Sequence, residues 1–251
     1  MRTDELLDRY QGTLIRHTAL ITGAGTGIGR ASALALARAG ADVALLGRRS
    51  EPLERVAASV DGSGRRALVV TCDVRDPDAV SDAVERVTDG LGSVDVAVAN
   101  AGAAGWGPLD ELTPELLRLA LATNVEGVVN VARVLVPEMR ERGRGKLIVI
   151  ASDNGRRPES EGSAYVASKF AAVGFALSLS QELYASGVGV HVIEPGCVDT
   201  DWYPADEDAP REKMLSADDV ALAVLFLATL PSQIVLEELL LIPRALLVEP
   251  W

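Results

Sequence analysis

The stretch Thr22-Gly23-Ala24-Gly25-Thr26-Gly27-Ile28-Gly29 decides the fold class of this 251-residue chain. It follows an apolar run, His17–Thr22, and leads into an alanine- and leucine-rich helical pattern, Gly29–Ala39. Glycines in a strand-to-helix turn let the backbone approach an anion closely, and the helix N-terminus then offers unpaired N–H groups. A tight turn without a ligand is the alternative interpretation. We expect a pyrophosphate to bind at this turn, held by Gly23, Gly25, Thr26, Gly27 and Ile28.

Apolar runs and helical patterns alternate along the rest of the chain. Continuous apolar runs are typical of strands that are buried on both faces of a parallel sheet. The alternation therefore predicts an α/β fold with a doubly wound parallel sheet, in a single domain over residues 1–251. The predicted strands are His17–Thr22, Asp42–Leu46, Ala67–Thr71, Val94–Ala99, Lys146–Ala151, Gly189–Glu194 and Leu239–Ile242. The predicted helices include Gly29–Ala39, Asp76–Asp89, Pro114–Arg140 and Ser163–Ala185.

Composition and charge argue against several classes of protein. The formal net charge is −12, whereas nucleic-acid binding needs a basic surface, so we expect no nucleic-acid partner. The longest apolar stretches contain acids or are too short to span a bilayer, and residues 1–16 read as an N-terminal extension without a secretory signal. We therefore expect a cytoplasmic protein with no membrane partner. The two cysteines and two histidines lack metal-ligand spacing, so we expect no metal site.

The end of the second predicted strand bears on the choice of nucleotide. NAD-binding folds usually place an acid at this strand end, but here Gly47 is followed by Arg48 and Arg49. A guanidinium binds a 2′-phosphate with charge-assisted hydrogen bonds, which favours NADP(H) over NAD(H). In the alternative interpretation, the arginines only cover the start of the next helix. After the third strand, Asp73 and Val74 are placed to contact an adenine, although Asp73 is also placed to cap the following helix.

Tyr165 and Lys169 form the most informative pair of side chains. Residues four apart share one helix face, and a nearby cation lowers the pKa of a phenol towards the range useful for proton transfer. A bare Tyr-x-x-x-Lys is more often a surface pair, so the context matters. Ser152 ends the strand before this helix and is placed to hydrogen-bond a reacting oxygen. Asn124 lies inside a predicted helix, where asparagine is locally disfavoured, and this indicates a functional reason.

Two further turns follow strands at the same predicted edge of the sheet. Asn100, Ala101 and Gly102 follow the fourth strand, and their small size lets a cofactor approach the backbone. The turn after the sixth strand contains Pro195 and Gly196, and it is suited to flank a nicotinamide amide. Within and after this turn, the predicted nicotinamide contacts are Pro195, Gly196, Val198 and Thr200.

Taken together and in this order, these motifs resemble those of the short-chain dehydrogenase/reductase family, in its single-domain form of about 250 residues. The resemblance covers about residues 17–230. It implies a Rossmann-like fold with strand order 3-2-1-4-5-6-7, and a homotetramer or homodimer built on the helices that hold Asn124 and Tyr165. Ala99, where the family often has a first asparagine, and the C-terminal Leu239–Arg244, where a glycine pair is common, depart from the pattern. The second departure argues against the acyl-carrier-protein reductases of the family.

The resemblance also implies a mechanism for interconverting a carbonyl compound and an alcohol. Tyr165 acts as general acid or base, Lys169 lowers its pKa and binds the nicotinamide ribose, and Ser152 polarises the carbonyl. Asn124 holds a water that connects Lys169 to solvent. A non-catalytic NADP(H)-binding regulator and a dehydratase or epimerase are the competing hypotheses.

The substrate itself is left open by the sequence, beyond a small-molecule carbonyl compound or alcohol. Residues 199–216 read as a lid over the site. Trp106 and Trp202 either stack on a substrate ring or pack under this lid. Arg156 or Arg157 either binds a substrate carboxylate or lies on the solvated rim, and the rim is the favoured interpretation.

Overall fold

The computed structural model describes residues 3–62, 64–203 and 209–248. A seven-stranded parallel sheet forms its centre, in the order β3-β2-β1-β4-β5-β6-β9. This confirms the predicted doubly wound, single-domain α/β fold, since β9 is the seventh strand of the central sheet. A second, two-stranded sheet pairs β7 with β8. The strands are β1 Thr18–Thr22, β2 Asp42–Gly47, β3 Ala67–Thr71, β4 Val96–Ala99, β5 Gly145–Ile150, β6 Val188–Pro195, β7 Val198–Asp199, β8 Leu215–Ser216 and β9 Glu238–Leu241.

Helices cover both faces of the sheet, as the apolar runs predict. Every residue of β1 is buried, because β2 and β4 flank it and helices lie above and below. Ile21 packs into the cluster formed with α2, α3 and α8, whereas Leu20 packs into the cluster with α4, α6 and α7. The α-helices are α1 Thr3–Leu7, α2 Gly27–Arg38, α3 Ser50–Asp61, α4 Pro77–Leu91, α5 Pro114–Leu121, α6 Gly127–Glu141, α7 Ser163–Leu183, α8 Ala217–Thr229 and α9 Arg244–Val248.

The prediction of one continuous helix over Pro114–Arg140 was wrong. A five-residue π-helical segment, Ala122–Glu126, separates α5 from α6. Most other bounds shift by one or two residues: the predicted strand Val94–Ala99 begins at Val96, and Leu239–Ile242 becomes Glu238–Leu241. A single π-turn inside a longer helical region is frequently found at functional sites.

Local hydrogen bonds explain where the helices begin. Asp76 accepts bonds from the backbone N–H groups of Asp78 and Ala79 at 3.0 and 3.2 Å and so caps α4. Ser216 and Asp219 form a capping box at the start of α8. Asp76 therefore performs the capping role considered for Asp73.

Two helical regions are long and apolar enough to cross a membrane by composition alone, namely residues 114–141 and 163–183. Both pack against the sheet, and about half of each apolar window is buried there. The apolar residues of both regions therefore contribute to the hydrophobic core. The N-terminal α1 packs near α8, where Thr3 Oγ1 donates a 2.8 Å hydrogen bond to Asp219 Oδ1.

Candidate active site

The glycine-rich turn between β1 and α2 has a backbone that only glycine fits. Gly23 and Gly27 have positive φ angles of 64° and 50°. A Cβ on Gly29 would lie 2.3 Å from the Gly23 carbonyl oxygen, so a side chain there would push the turn apart. Thr26 precedes α2 without a side-chain cap, and the first N–H groups of the helix are therefore left for another acceptor. A phosphate group fits this arrangement.

Thr22 fastens the glycine-rich turn to the turn after β4. Its hydroxyl accepts hydrogen bonds from the backbone N–H groups of Asn100 and Ala101, at 2.9 and 3.0 Å. The Asn100 side-chain amide donates in return to the Thr22 carbonyl at 2.9 Å. The ends of β1 and β4 thus form one rigid edge. Thr22 was not among the site residues predicted from the sequence. The signal that could have identified it is that Thr22 is a polar residue at the end of an apolar, buried strand.

The edge beyond β2 carries both positive and negative charge. Arg48 and Arg49 are exposed at the end of β2, and Arg48 lowers the pKa of Asp73. Asp73 is bound mainly by Arg75, whose Nε lies 3.0 Å from both carboxylate oxygens, and this contact is the largest cause of its lowered pKa. Arg75 was not among the predicted site residues, and it adds a third guanidinium to this edge. Val74 is held by Asn130, which donates a 2.9 Å hydrogen bond to its carbonyl.

The segment after β6 folds back towards the glycine-rich turn. The Gly196 N–H donates to the Leu241 carbonyl of β9 at 2.8 Å, and Val198 pairs with Leu215 in the small sheet. Thr200 lies beside Gly27, with its methyl carbon 3.2 Å from the position of an added Cβ. Arg211 donates to Asp199 Oδ1 at 2.6 Å and joins the two ends of the predicted lid. Part of that lid, residues 204–208, lies outside the described residues.

Tyr165, Ser152 and Lys169 converge at the carboxyl edge of the sheet, and each is less than a tenth exposed. Ser152 caps the short 3-10 turn after β5 and hydrogen-bonds the Tyr165 hydroxyl. Lys169 Nζ donates to the Ile150 carbonyl at 3.2 Å and lies 5.5 Å from the centre of the Tyr165 ring. The three predicted side chains are thus brought together by β5 and α7.

Burial dominates the protonation of this group. It raises the pKa of Tyr165 to about 12, an effect that the hydrogen bond with Ser152 opposes. Burial also lowers the pKa of Lys169 to about 8. Lys169 is not among the groups that shift this pKa, because its ammonium group donates to the Ile150 carbonyl. That Lys169 lowers the pKa of Tyr165 stays a prediction.

Asn124 lies in the π-helical segment and connects two parts of the site. Its Oδ1 accepts a 2.8 Å hydrogen bond from the Ala103 N–H, and its Nδ2 donates to the Ala103 carbonyl at 2.9 Å and to Ser168 Oγ at 2.8 Å. Ser168 Oγ in turn donates to the Tyr165 carbonyl at 2.6 Å. Both Nδ2 protons are thus used within the protein. Asn124 therefore joins the turn after β4 to the helix that carries Tyr165.

Two tryptophans and one acid surround Tyr165. The Trp106 and Trp202 ring centres lie 5.5 and 5.6 Å from the Tyr165 ring centre. Asp153, the residue after Ser152, accepts a 3.2 Å hydrogen bond from the Ser152 hydroxyl. The sequence left Trp106 and Trp202 open between stacking on a substrate ring and packing under the lid, and it assigned Asp153 no role. Only the folded chain shows that these side chains lie close to Tyr165.

Arg156, in the loop after Ser152, is held by two carboxylates. Its Nε donates to both carboxylate oxygens of the fully buried Glu194, at 2.9 and 2.8 Å, and its Nη2 pairs with Glu238. The arginine therefore pairs with the buried Glu194 and the half-buried Glu238 between β6 and β9. Its side chain stays 42% exposed, which agrees with the favoured rim interpretation. Arg157 remains exposed.

The doubly wound sheet, the glycine-rich turn and the buried Tyr–Lys pair define a protein of the Rossmann-like class. The family model described as short chain dehydrogenase matches residues 17–210. The chain belongs to that family, as its motifs imply.

Individual relatives support the same assignment. The oxidoreductase UcpA of Salmonella typhimurium is 38% identical over 202 residues, which cover 80% of this chain and 75% of that protein. The glycine betaine reductase ATRR of Emericella nidulans is 32% identical over 253 residues, or 97% of this chain, but this chain spans only 20% of that much longer protein. The structure of an alcohol dehydrogenase from the archaeon Thermococcus sibiricus, complexed with 5-hydroxy-NADP, superimposes with a TM-score of 0.83. It is 33% identical in sequence, and the match covers 90% of this chain and 95% of that one.

Proposed function

We propose that this protein is an NADP(H)-dependent oxidoreductase that interconverts a ketone or aldehyde and the corresponding alcohol. The observation that carries the proposal is the convergence of Tyr165, Ser152 and Lys169 at the sheet edge that also holds the glycine-rich turn. A non-catalytic nucleotide-binding regulator would need the turn but has no use for a buried proton-transfer group. The relatives carry names for different substrates, so family membership leaves the substrate open.

The nucleotide contacts follow from the edge geometry. The N–H groups at the start of α2 bind the pyrophosphate, with Gly23 to Ile28 close enough for backbone contact. Arg48, supported by Arg49 and Arg75, binds a 2′-phosphate, and Asp73 with Val74 contacts the adenine. The turns Asn100–Gly102 and Pro195–Thr200 flank the nicotinamide half. The solved relative with an NADP derivative supports NADP(H) rather than NAD(H).

Tyr165 and Ser152 carry out the proton chemistry. When bound, the nucleotide supplies or accepts the hydride. Ser152 hydrogen-bonds the carbonyl oxygen and places it beside the Tyr165 hydroxyl, which donates its proton as the oxygen gains negative charge. A phenol with a pKa near 12 is a weak acid at neutral pH, so a cation close to the ring has to stabilise the phenolate. Lys169 takes this role when its ammonium group turns from the Ile150 carbonyl towards Tyr165.

Asn124 positions this machinery. Both of its amide protons are donated to protein oxygens, so the Asn124 amide group cannot donate to a water molecule. A water that connects Lys169 to solvent therefore has to act as the donor in any hydrogen bond with the Asn124 side chain. We further propose a lid over residues 199–216, an oligomer built on α5, α6 and α7, and a cytoplasmic location.

Nucleotide binding and turnover test the proposal separately. Titration with NADPH and with NADH should show tighter binding of NADPH, and Arg48→Ala should remove most of that preference. NADPH should then be consumed with a panel of ketones, aldehydes, sugars and steroids. Tight NADPH binding without turnover on any carbonyl compound would favour the regulator, and equal binding of both nucleotides would contradict the role of Arg48.

A further inference from the structure

Aromatic side chains contact the Tyr165 ring from two residues, Trp106 and Trp202. These residues are 37% and 40% exposed, so each keeps surface that a bound molecule can contact. The ring of Trp106 packs on Gly162, where an added Cβ would lie 2.5 Å from it, and the ring of Trp202 lies 3.9 Å from the same position on Gly102. Indole faces attract cations as well as apolar groups. The rings alone therefore leave the charge of the substrate undecided.

The carboxylate of Asp153 bears on the charge of the substrate. The two oxygens of Asp153 face different parts of the site: Oδ1 accepts the 3.2 Å hydrogen bond from Ser152 Oγ, and Oδ2 lies 3.5 Å from an added Cβ on Gly196. Asp153 is thus within one hydrogen bond of the serine that binds the carbonyl. Within the described part of the chain, no lysine or arginine forms an ion pair with it, and burial raises its pKa, an effect that Arg157 opposes only weakly.

Lys169 is the cation proposed to stabilise the Tyr165 phenolate, and the Asp153 carboxylate works against it unless a second cation is bound beside Asp153. Burial is the main cause of the raised pKa of Tyr165, and the negative charge of Asp153 raises it further. Burial likewise raises the pKa of Asp153, and the nearby Glu159 adds to that effect. A tyrosine that must become a phenolate is hindered by a neighbouring anion. A positively charged group bound between Asp153 and the indole rings would cancel that effect.

We propose that the substrate is a ketone or aldehyde with a quaternary or protonated amine one or two carbons from the carbonyl carbon, which rests on the proposed oxidoreductase function. Asp153 neutralises the amine, and Trp106 and Trp202 pack against it. The short Ser152–Asp153 distance requires the charge to be close to the carbonyl. In the reaction, the carbonyl carbon receives the hydride and its oxygen the Tyr165 proton, NADPH becomes NADP⁺, and the amine is unchanged.

A pair of isosteric ketones tests this inference. Trimethylammonioacetone and 4,4-dimethylpentan-2-one have the same shape and differ only in a charged nitrogen in place of a carbon, and the matching aldehydes form a second pair. We expect the wild-type protein to favour the cation by about 20-fold or more in kcat/KM. Asp153→Asn keeps an oxygen that accepts from Ser152, and it should reduce this ratio about tenfold. Glu85→Gln, which removes the same charge from the exposed face of α4, should leave the ratio unchanged.

A binding measurement supports the kinetics. Choline should quench the tryptophan fluorescence of the wild-type protein more strongly than 3,3-dimethylbutan-1-ol does, and Asp153→Asn should remove the difference.

Several outcomes would overturn the inference. Equal or faster reduction of the neutral ketone would refute the cationic substrate while leaving the oxidoreductase function intact. If none of the carbonyl compounds led to consumption of NADPH, both the cationic substrate and the oxidoreductase function would be refuted. An equal loss with both ketones in Asp153→Asn would mean that Asp153 only positions Ser152. If Asp153→Asn left the ratio of kcat/KM for the two ketones unchanged but weakened the binding of NADP⁺ relative to NADPH, the Asp153 carboxylate would be assigned to the positively charged nicotinamide instead of the substrate.

Discussion

Replacing Asn124 by alanine removes all the hydrogen bonds of a side chain that is only 2% exposed. Three bonds disappear, two with the backbone of Ala103 and one with Ser168 Oγ. Each buried bond contributes about 1 kcal/mol net, and an unsatisfied partner costs up to about 3 kcal/mol. We therefore expect Asn124→Ala to lower the free energy of unfolding by about 3 to 4 kcal/mol.

A second buried asparagine provides the matched control. Asn130 is 8% exposed, also lies in this helical region, and donates one 2.9 Å hydrogen bond to the Val74 carbonyl. Asn130→Ala should cost about 1 kcal/mol, and the gain in helix propensity is the same for both variants. Urea unfolding with linear extrapolation measures the difference. Equal losses in the two variants would refute the view that Asn124 connects the turn after β4 to α7.

Three further predictions address the nucleotide site and the buried charges. Gly29→Ala should weaken NADPH binding at least tenfold, because its Cβ would meet the Gly23 carbonyl at 2.3 Å, whereas Gly174→Ala, with open space around it, should bind normally by fluorescence titration. Arg48→Ala should weaken NADPH about tenfold and leave NADH unchanged by the same titration. From pH 8 to 9 the unfolded chain retains the Lys169 proton while the folded protein releases it. The free energy of unfolding should therefore rise by about 1 kcal/mol over this range because of Lys169. Urea unfolding at both pH values should show a smaller rise in Lys169→Met, and an identical rise would contradict the lowered pKa.

The features that the sequence predicts well are those set by local physics. Buried apolar runs such as His17–Thr22 predict where the strands lie, and the order of the strands was implied by the family resemblance. The glycine-rich turn depends on backbone conformations that only glycine adopts readily. Tyr165 and Lys169 were predictable because their spacing places them on one helix face, and the turn after β5 places Ser152 beside them.

Features that depend on contacts across the fold were out of reach. The pattern from Pro114 to Arg140 is helical throughout, and no local signal marks a π-turn at Asn124. Burial sets the sign of the Tyr165 pKa shift, and the Lys169 ammonium group donates to the Ile150 carbonyl; a sequence states neither. The placement of Asp153 and two indole rings around Tyr165 likewise exists only in the folded chain.

The central claim is that the Tyr165 hydroxyl donates the proton during carbonyl reduction. Stopped-flow mixing of the NADPH complex with a reducible ketone measures hydride transfer in a single turnover. Tyr165→Phe should slow this step about a thousandfold while its NADPH affinity stays within about twofold of the wild type. Tyr184→Phe, which removes a hydroxyl from a 58% exposed tyrosine just beyond the end of α7, should react at the wild-type rate. Hydride transfer in Tyr165→Phe within tenfold of the Tyr184→Phe rate would contradict the account.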